Sequence, residues 1–420
     1  MNTQRLLVSI GIVATSFLSH AQLNWNEVSV PTQEKLNDIQ FVDNQTGFIG
    51  GDNLTLLKTV DGGETWSALT HQGLPNQGPS DHIQEIEFVD AFVGYLTIQN
   101  QMSVYKTSDG GLNWTAVPNN NTNQCFPVSI FSSAEDDLFV GGSDCFQGMT
   151  INQYQNATWT NQSTEFVTFD TQEFVRDIDF NGNLGLAAVN SEYILRSTDA
   201  GVTWDSINSN IGNGNVLTSI MIGLNDTCYA GYNQNGGGFG ILYSNDAGQT
   251  WQEDLNSATF YYPAYYGGTI NANGKAYITA VPSNSPEGLI FERNAGQWML
   301  VPVDQSVYAM DSYGDDVTWA VGDSGYVVVN QDLSSLSIFD QNEPFDALEV
   351  FPNPTNTVLK WSCADCTTMG MEIIDLKGNV VKHNEAYLQE SVDVSDLPSG
   401  VYVISVNSNK GTIRKRFIKE

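Results

Sequence analysis

Basic residues are scarce in this chain: 16 Lys and Arg stand against 48 Asp and Glu in 420 residues, a formal charge of −32. The imbalance is local. Residues 22–346 hold 7 basic against 39 acidic side chains, whereas residues 347–420 hold 8 against 9. An acidic body of this kind repels phosphate backbones and anionic lipid, which makes nucleic acid and anionic membrane poor partners for it. The carboxylates are scattered and do not show the spacing of a calcium loop. No metal site stands out, and calcium or a cationic partner on the acidic surface is what the composition admits. Histidine is rarer still, with four in the chain. A serine-type triad needs a general-base imidazole, and residues 22–346 offer only His71 and His82, in a loop rich in Gly, Pro and Gln that reads as solvated.

Cysteine is also sparse. Five are present, and a single Cys-x-x-Cys pair, Cys363 and Cys366, falls short of a four-ligand zinc site. That pair reads as a disulfide or two free thiols. Cys125 and Cys145 share one repeat and could pair, although sequence does not fix connectivity. Cys228 is left over in a strand-like run and reads as a small buried apolar residue. After residue 21 no stretch approaches the roughly 20 apolar residues that a membrane helix needs. Residues 1–21 read as a signal peptide, with Arg5, an apolar run from Leu6 to Leu18, and Ser19-His20-Ala21 at the cleavage positions.

What the chain has in abundance is repetition. Trp25, Trp66, Trp114, Trp159, Trp204, Trp251 and Trp298 recur at intervals of 41, 48, 45, 45, 47 and 47 residues. A period near 45 signals a repeat architecture. Four of the tryptophans close a shared phrase, with Asp61 before Trp66, Asp109 before Trp114, Asp199 before Trp204 and Asp246 before Trp251. Each repeat divides into four short runs of alternating apolar residues punctuated by Gly and Asn, which predicts strands. The first run carries pairs such as Ile39 and Phe41, or Ile178 and Phe180. The second is small and glycine-rich, as in Gly47-Phe48-Ile49-Gly50-Gly51.

The shared phrase resembles the Asp-box of sialidase-type and related (BNR-type) β-propellers. Its Asp is expected to accept turn amides, its Gly to supply a positive φ and its Trp to pack between strands. These eight residues are therefore assigned a structural role. Four full repeats, degenerate ones at Trp159 and Trp298, and a last one over 307–329 make seven blades. The last lacks its tryptophan strand, and the segment Leu23–Val30 supplies it. The expected fold is all-β, a seven-bladed propeller over 22–340 closed by the N-terminal strand. The wording of residues 23–335 resembles the photosystem II assembly-factor-like (sortilin-like) propellers. That group's arginine patch does not carry over, because only Arg176, Arg196 and Arg293 occur in the ring.

Past a linker at 341–346 the period stops. Residues 347–420 contain Val350-Phe351-Pro352-Asn353-Pro354, a Leu397-Pro398-Ser399-Gly400-Val401-Tyr402 stretch and a basic tail. They resemble the type A C-terminal sorting domain of the type IX secretion system of Bacteroidota. The resemblance implies a small β-sandwich that addresses the type IX machinery, leaving the protein secreted or attached to the cell surface.

For the ring, a sialidase is excluded by the missing arginine triad and Arg-Ile-Pro motif. The favoured reading is an exported binding or interaction propeller without a catalytic site. Its ligand face would be built from Asn37, Gln84, Arg176, Asp177, Thr218 and Tyr308, together with loops holding Asn53, Asn100, Asn190, Glu192, Asn233, Gln234 and Asp323. The alternative is a secreted glycoside hydrolase using paired carboxylates from among Asp38, Glu85, Asp177 and Asp311, which all fall on first strands near the mouth.

Overall fold

Alternating apolar runs form strands, and a sheet with two apolar faces must bury both. This chain does so by stacking sheet after sheet around an axis. The computed structural model describes residues 25–331 and 348–419, except 76–80, 100, 119–123, 145–147, 163–172, 213, 236, 258–262, 283–286, 295 and 315–316 in the first stretch and 364–367, 375–379, 385–390, 399 and 409–410 in the second. The expected signal peptide, the linker, Asn100, Cys145 and Cys366 lie outside the described residues, and with them one member of each suggested cysteine pair.

Seven four-stranded antiparallel sheets follow one another from residue 25 to 331. Their first strands are Leu36–Phe41, Ile83–Phe88, Gln124–Ala134, Val175–Asn181, Val216–Ile222, Pro263–Ile270 and Val307–Tyr313. Each first strand touches that of the next sheet, and the seventh touches the first. The ring is closed. The seventh sheet takes its outer strand from the opposite end of the chain: Trp25 pairs with Asn330, Asn26 with Val329 and Glu27 with Val328. Beyond that ladder the Val28 N–H donates to the Val327 carbonyl at 2.9 Å.

The core has no single centre. Seven apolar clusters each lie between one pair of adjacent sheets. The cluster that seals the ring sets Leu36, Ile39 and Leu57 of the first sheet against Trp319, Val321 and Val327 of the seventh. Glycines on second strands make the close approach possible. A Cβ on Gly50 would stand 2.6 Å from Ile83 Cγ2, and one on Gly141 2.5 Å from Val175 Cγ1, both on the next sheet.

The four repeated aspartate turns share one geometry at the face away from the first-strand entries. The N–H groups of Thr65, Asn113, Thr203 and Thr250 donate to Asp61, Asp109, Asp199 and Asp246 at 2.8–2.9 Å. Two consecutive left-handed residues shape each turn. They are Gly62 and Gly63 at φ 73° and 86° in the first, and Ala200 and Gly201 at 58° and 83° in the third. Trp66, Trp114, Trp204 and Trp251 are buried. The last three donate Nε1–H to the turn glycine carbonyl at 3.0 Å. In the degenerate blades the indole is redirected, Trp159 to the Pro118 carbonyl and Trp298 to Asp254.

Contacts separate the chain into two compact units. In the second, a three-stranded and a four-stranded sheet share one core. Leu359 and Trp361 come from one sheet, and Met371, Ile373, Ile404 and Phe417 from the other.

Candidate functional site

The site begins with a break in alternation. Leu36-Asn37-Asp38-Ile39 places two non-core residues between buried ones, and the strand absorbs the extra residue as a β-bulge. The same irregularity recurs at the same point of all seven first strands: Leu36/Asp38, Ile83/Glu85, Pro127/Ser129, Val175/Asp177, Leu217/Ser219, Tyr265/Gly268 and Val307/Ala309. A bulge re-aims a side chain, and in six of the seven blades the extra residue faces the axis.

The result is one central cavity of about 870 Å³. Its wall includes the bulge residues Asn37, Gln84, Val128, Arg176, Thr218 and Tyr308, with Asp38, Glu85 and Asp177 one position further along. All six residues expected on the ligand face therefore meet around one cavity. Of the loop residues, Asn233 lines it too. Asp323 instead accepts the Tyr308 hydroxyl at 3.0 Å, and Asn190 accepts the Phe174 N–H at 2.6 Å. Sequence reasoning missed Lys35, Asp52, His82 and Gln99 in the wall.

The histidines require a correction. Neither is simply solvated. His82 Nδ1 lies 3.0 Å from Asp52 Oδ1, in an alignment that makes no hydrogen bond. Asp52 in turn accepts Asn37 Nδ2–H at 2.9 Å. His71 Nε2 meets the Leu54 carbonyl at 2.9 Å.

Below the rim the carboxylates hold the blades together. The Ile86 N–H donates to Asp38 at 2.8 Å, the Ile130 N–H to Glu85 at 3.1 Å, the Ile178 N–H to Ser129 Oγ at 3.1 Å and the Ile220 N–H to Asp177 at 2.8 Å. Each bond runs from one sheet's inner edge to the next. Two residues further along, a second tier repeats the device, with Phe41 donating to Asp311, Phe88 to Gln40, Ser132 to Glu87 and Ile222 to Asp179. A first strand is an edge strand with unpaired amides, and these acceptors satisfy them. Asp311 belongs to this lower tier and does not line the cavity, contrary to its expected place near the mouth.

Crowding carboxylates around an axis raises their pKa values. Burial pushes Asp38 up to about 7, against the amides of Ile86 and Ile39 that favour its charge, with Asp311 and Asp177 adding repulsion. Burial likewise takes Asp177 and Asp311 to about 6 and Asp179 to about 7, and holds Glu85 and Glu87 well above the usual carboxylate range.

The cations divide unevenly. Of the seven in the ring, Lys58 and Arg196 meet carbonyls, while Lys106, Lys275 and Arg293 meet carboxylates. Lys35 lies 3.8 Å over the Tyr308 ring and Arg176 4.7 Å over that of Phe174. Among the described residues no carboxylate is within ion-pair reach of either. Among those residues no group of three or more His, Cys, Asp or Glu is placed to hold a metal ion, and no helix is long and apolar enough to cross a membrane.

Comparison with known proteins follows the same division. Residues 18–137 match the family of the photosynthesis system II assembly factor YCF48, and residues 349–420 match the secretion system C-terminal sorting domain. The photosystem II assembly protein Ycf48 of Thermosynechococcus vestitus is 22% identical over 303 residues, covering 61% of this chain and 82% of that protein. A solved structure of YCF48 bound to D1 peptide superposes with a TM-score of 0.55 at 16% identity, covering 73% of this chain and 96% of that one. The GH74 enzyme of Niastella koreensis superposes with a TM-score of 0.55 at 12% identity, over 93% of this chain and 60% of its own. At these identities both structures speak for the fold alone. The chain is thus a β-propeller whose opening repeats match the YCF48 assembly-factor family, joined to a secretion system C-terminal sorting domain.

Proposed function

We propose that this is an exported, non-catalytic binding propeller, delivered by its C-terminal domain through the type IX machinery, and that it takes its ligand into the central cavity. One observation carries the reading. Six blades each send a bulge residue into the same 870 Å³ space, while the carboxylates beneath are occupied in tying blade to blade. A hydrolase needs one carboxyl as acid and another as nucleophile or base; here Asp38, Glu85 and Asp177 are engaged by main-chain amides. The YCF48 structure bound to D1 peptide supports ligand capture by a ring of this build.

The test is incubation of the mature chain with plant and marine polysaccharides and with peptides, scoring retention and new reducing ends together. Retention without new reducing ends, abolished by the cavity-filling change Gln84→Trp, is the expected result. New reducing ends that disappear in Asp38→Asn or Glu85→Gln would replace this reading with the glycoside hydrolase.

A further inference from the structure

The distribution of charge inside the cavity narrows the ligand, granted that the cavity is where the ligand sits. The ring holds 7 basic residues against 39 acidic ones, and five of the seven are engaged by carbonyls or carboxylates. The two that are not, Lys35 and Arg176, come from the first and fourth blades and line the same cavity. Each rests on an aromatic ring, Tyr308 or Phe174, which orients a cation without neutralising it. Arg176 is exposed, yet desolvation of its guanidinium lowers its pKa. One position below lie Asp38, Glu85 and Asp177. The cavity therefore carries two cations at its upper level, with the Asp52 carboxylate there held by Asn37 and next to His82, and three more carboxylates beneath.

We propose that the cavity receives a carbohydrate bearing an isolated carboxylate, a uronic-acid-containing glycan, with Arg176 and Lys35 facing the acid and the deeper carboxylates accepting its hydroxyls. A polyanion is disfavoured, because a body of charge −32 repels it beyond the reach of two cations. A peptide is disfavoured by the wall, where, among the described residues, Val128, Ala309 and Met310 are the aliphatic side chains available to an anchor. Hydroxyl donors suit a floor made of acceptors, and a carboxylate suits a planar guanidinium.

The experiment is calorimetric titration of the mature full-length chain with three probes: glucuronosyl-xylobiose, its methyl ester, and a capped peptide with one glutamate. The acid is expected to bind about tenfold or more tightly than the ester, the loss expected when a charge-assisted hydrogen bond is removed. Arg176→Gln is expected to weaken the acid by a similar factor and leave the ester unchanged. Lys35→Gln gives a second reading if Arg176→Gln melts early. Equal binding of acid and ester, with both blocked by Gln84→Trp, would overturn the charge-reading proposal while leaving the binding propeller standing. Binding only of the glutamate peptide would overturn it in favour of a protein partner. No binding of any probe, alongside retention of other polysaccharides, would overturn it as well.

Discussion

Asp38 shows how one side chain serves two purposes in this ring. It accepts the Ile86 N–H across the blade boundary at 2.8 Å and lies in the cavity wall. Asp38→Ala leaves that amide without its acceptor and is expected to cost about 1–3 kcal/mol, measured by denaturant melts at pH 5. Asp38→Asn keeps an acceptor oxygen and is expected to cost less than about 1 kcal/mol at that pH. At pH 8, where the native aspartate is ionised at the axis, the same change is expected to be neutral or stabilising. A second position of this kind is Gly63. Its φ is 86° and a Cβ there would stand 2.4 Å from the Trp319 ring. Gly63→Ala combines left-handed strain with a collision against the indole that seals the first and seventh sheets. The expected loss is roughly 2–4 kcal/mol, read as a shift in the denaturation midpoint.

Elements acquire their function from repetition and closure. The bulge was legible in principle: apolar-x-x-apolar at Leu36 to Ile39, Ile83 to Ile86, Val175 to Ile178 and Leu217 to Ile220 interrupts a period of two at the same place in each repeat. Five of the six residues expected on the ligand face share that position, which is why they meet at one cavity. Lys35 and His82 were missed because they precede the strands, where no periodicity marks them. The closing strand was also legible, as a tryptophan segment without a blade meeting a blade without a tryptophan segment. Val28→Pro removes the N–H that bonds the Val327 carbonyl. It is expected to cost about 1–3 kcal/mol, with hydrogen exchange rising first in Val327–Gln331 and not in the fourth blade.

At the scale of the molecule, the carboxylate tiers make stability a function of pH. Asp38, Asp177, Asp179 and Asp311 hold their protons in the folded ring up to about pH 6 or 7, against 3.8 for an ordinary aspartate. Between the two values the folded state binds more protons than the unfolded state, so stability falls as pH rises from about 4 to about 7. The turn aspartates act in the opposite sense. Hydrogen bonds from residues four further on hold Asp109, Asp199 and Asp246 below the usual value; at Asp61 partial burial opposes the shift, and the bonds from Thr65 and Thr59 outweigh it. Their contribution is lost only as pH falls below the ordinary aspartate range. Thermal melts are expected to peak near pH 4 and to drop by at least about 5 °C by pH 8, with a shallower drop in Asp38→Asn. A midpoint that rises steadily to pH 8 would show that the axis does not hold these protons.

The sequence by itself determined the number of blades, the closing of the ring by Trp25–Val28 and the presence of a C-terminal sorting domain, because period, strand alternation and motif order are local properties written along the chain. The tertiary structure alone decided which carboxylates tie neighbouring blades, that Asp311 lies below the cavity, and that Lys35 and Arg176 share it. Those relations join residues about 45 to 270 positions apart, and they exist only once seven sheets meet around one axis.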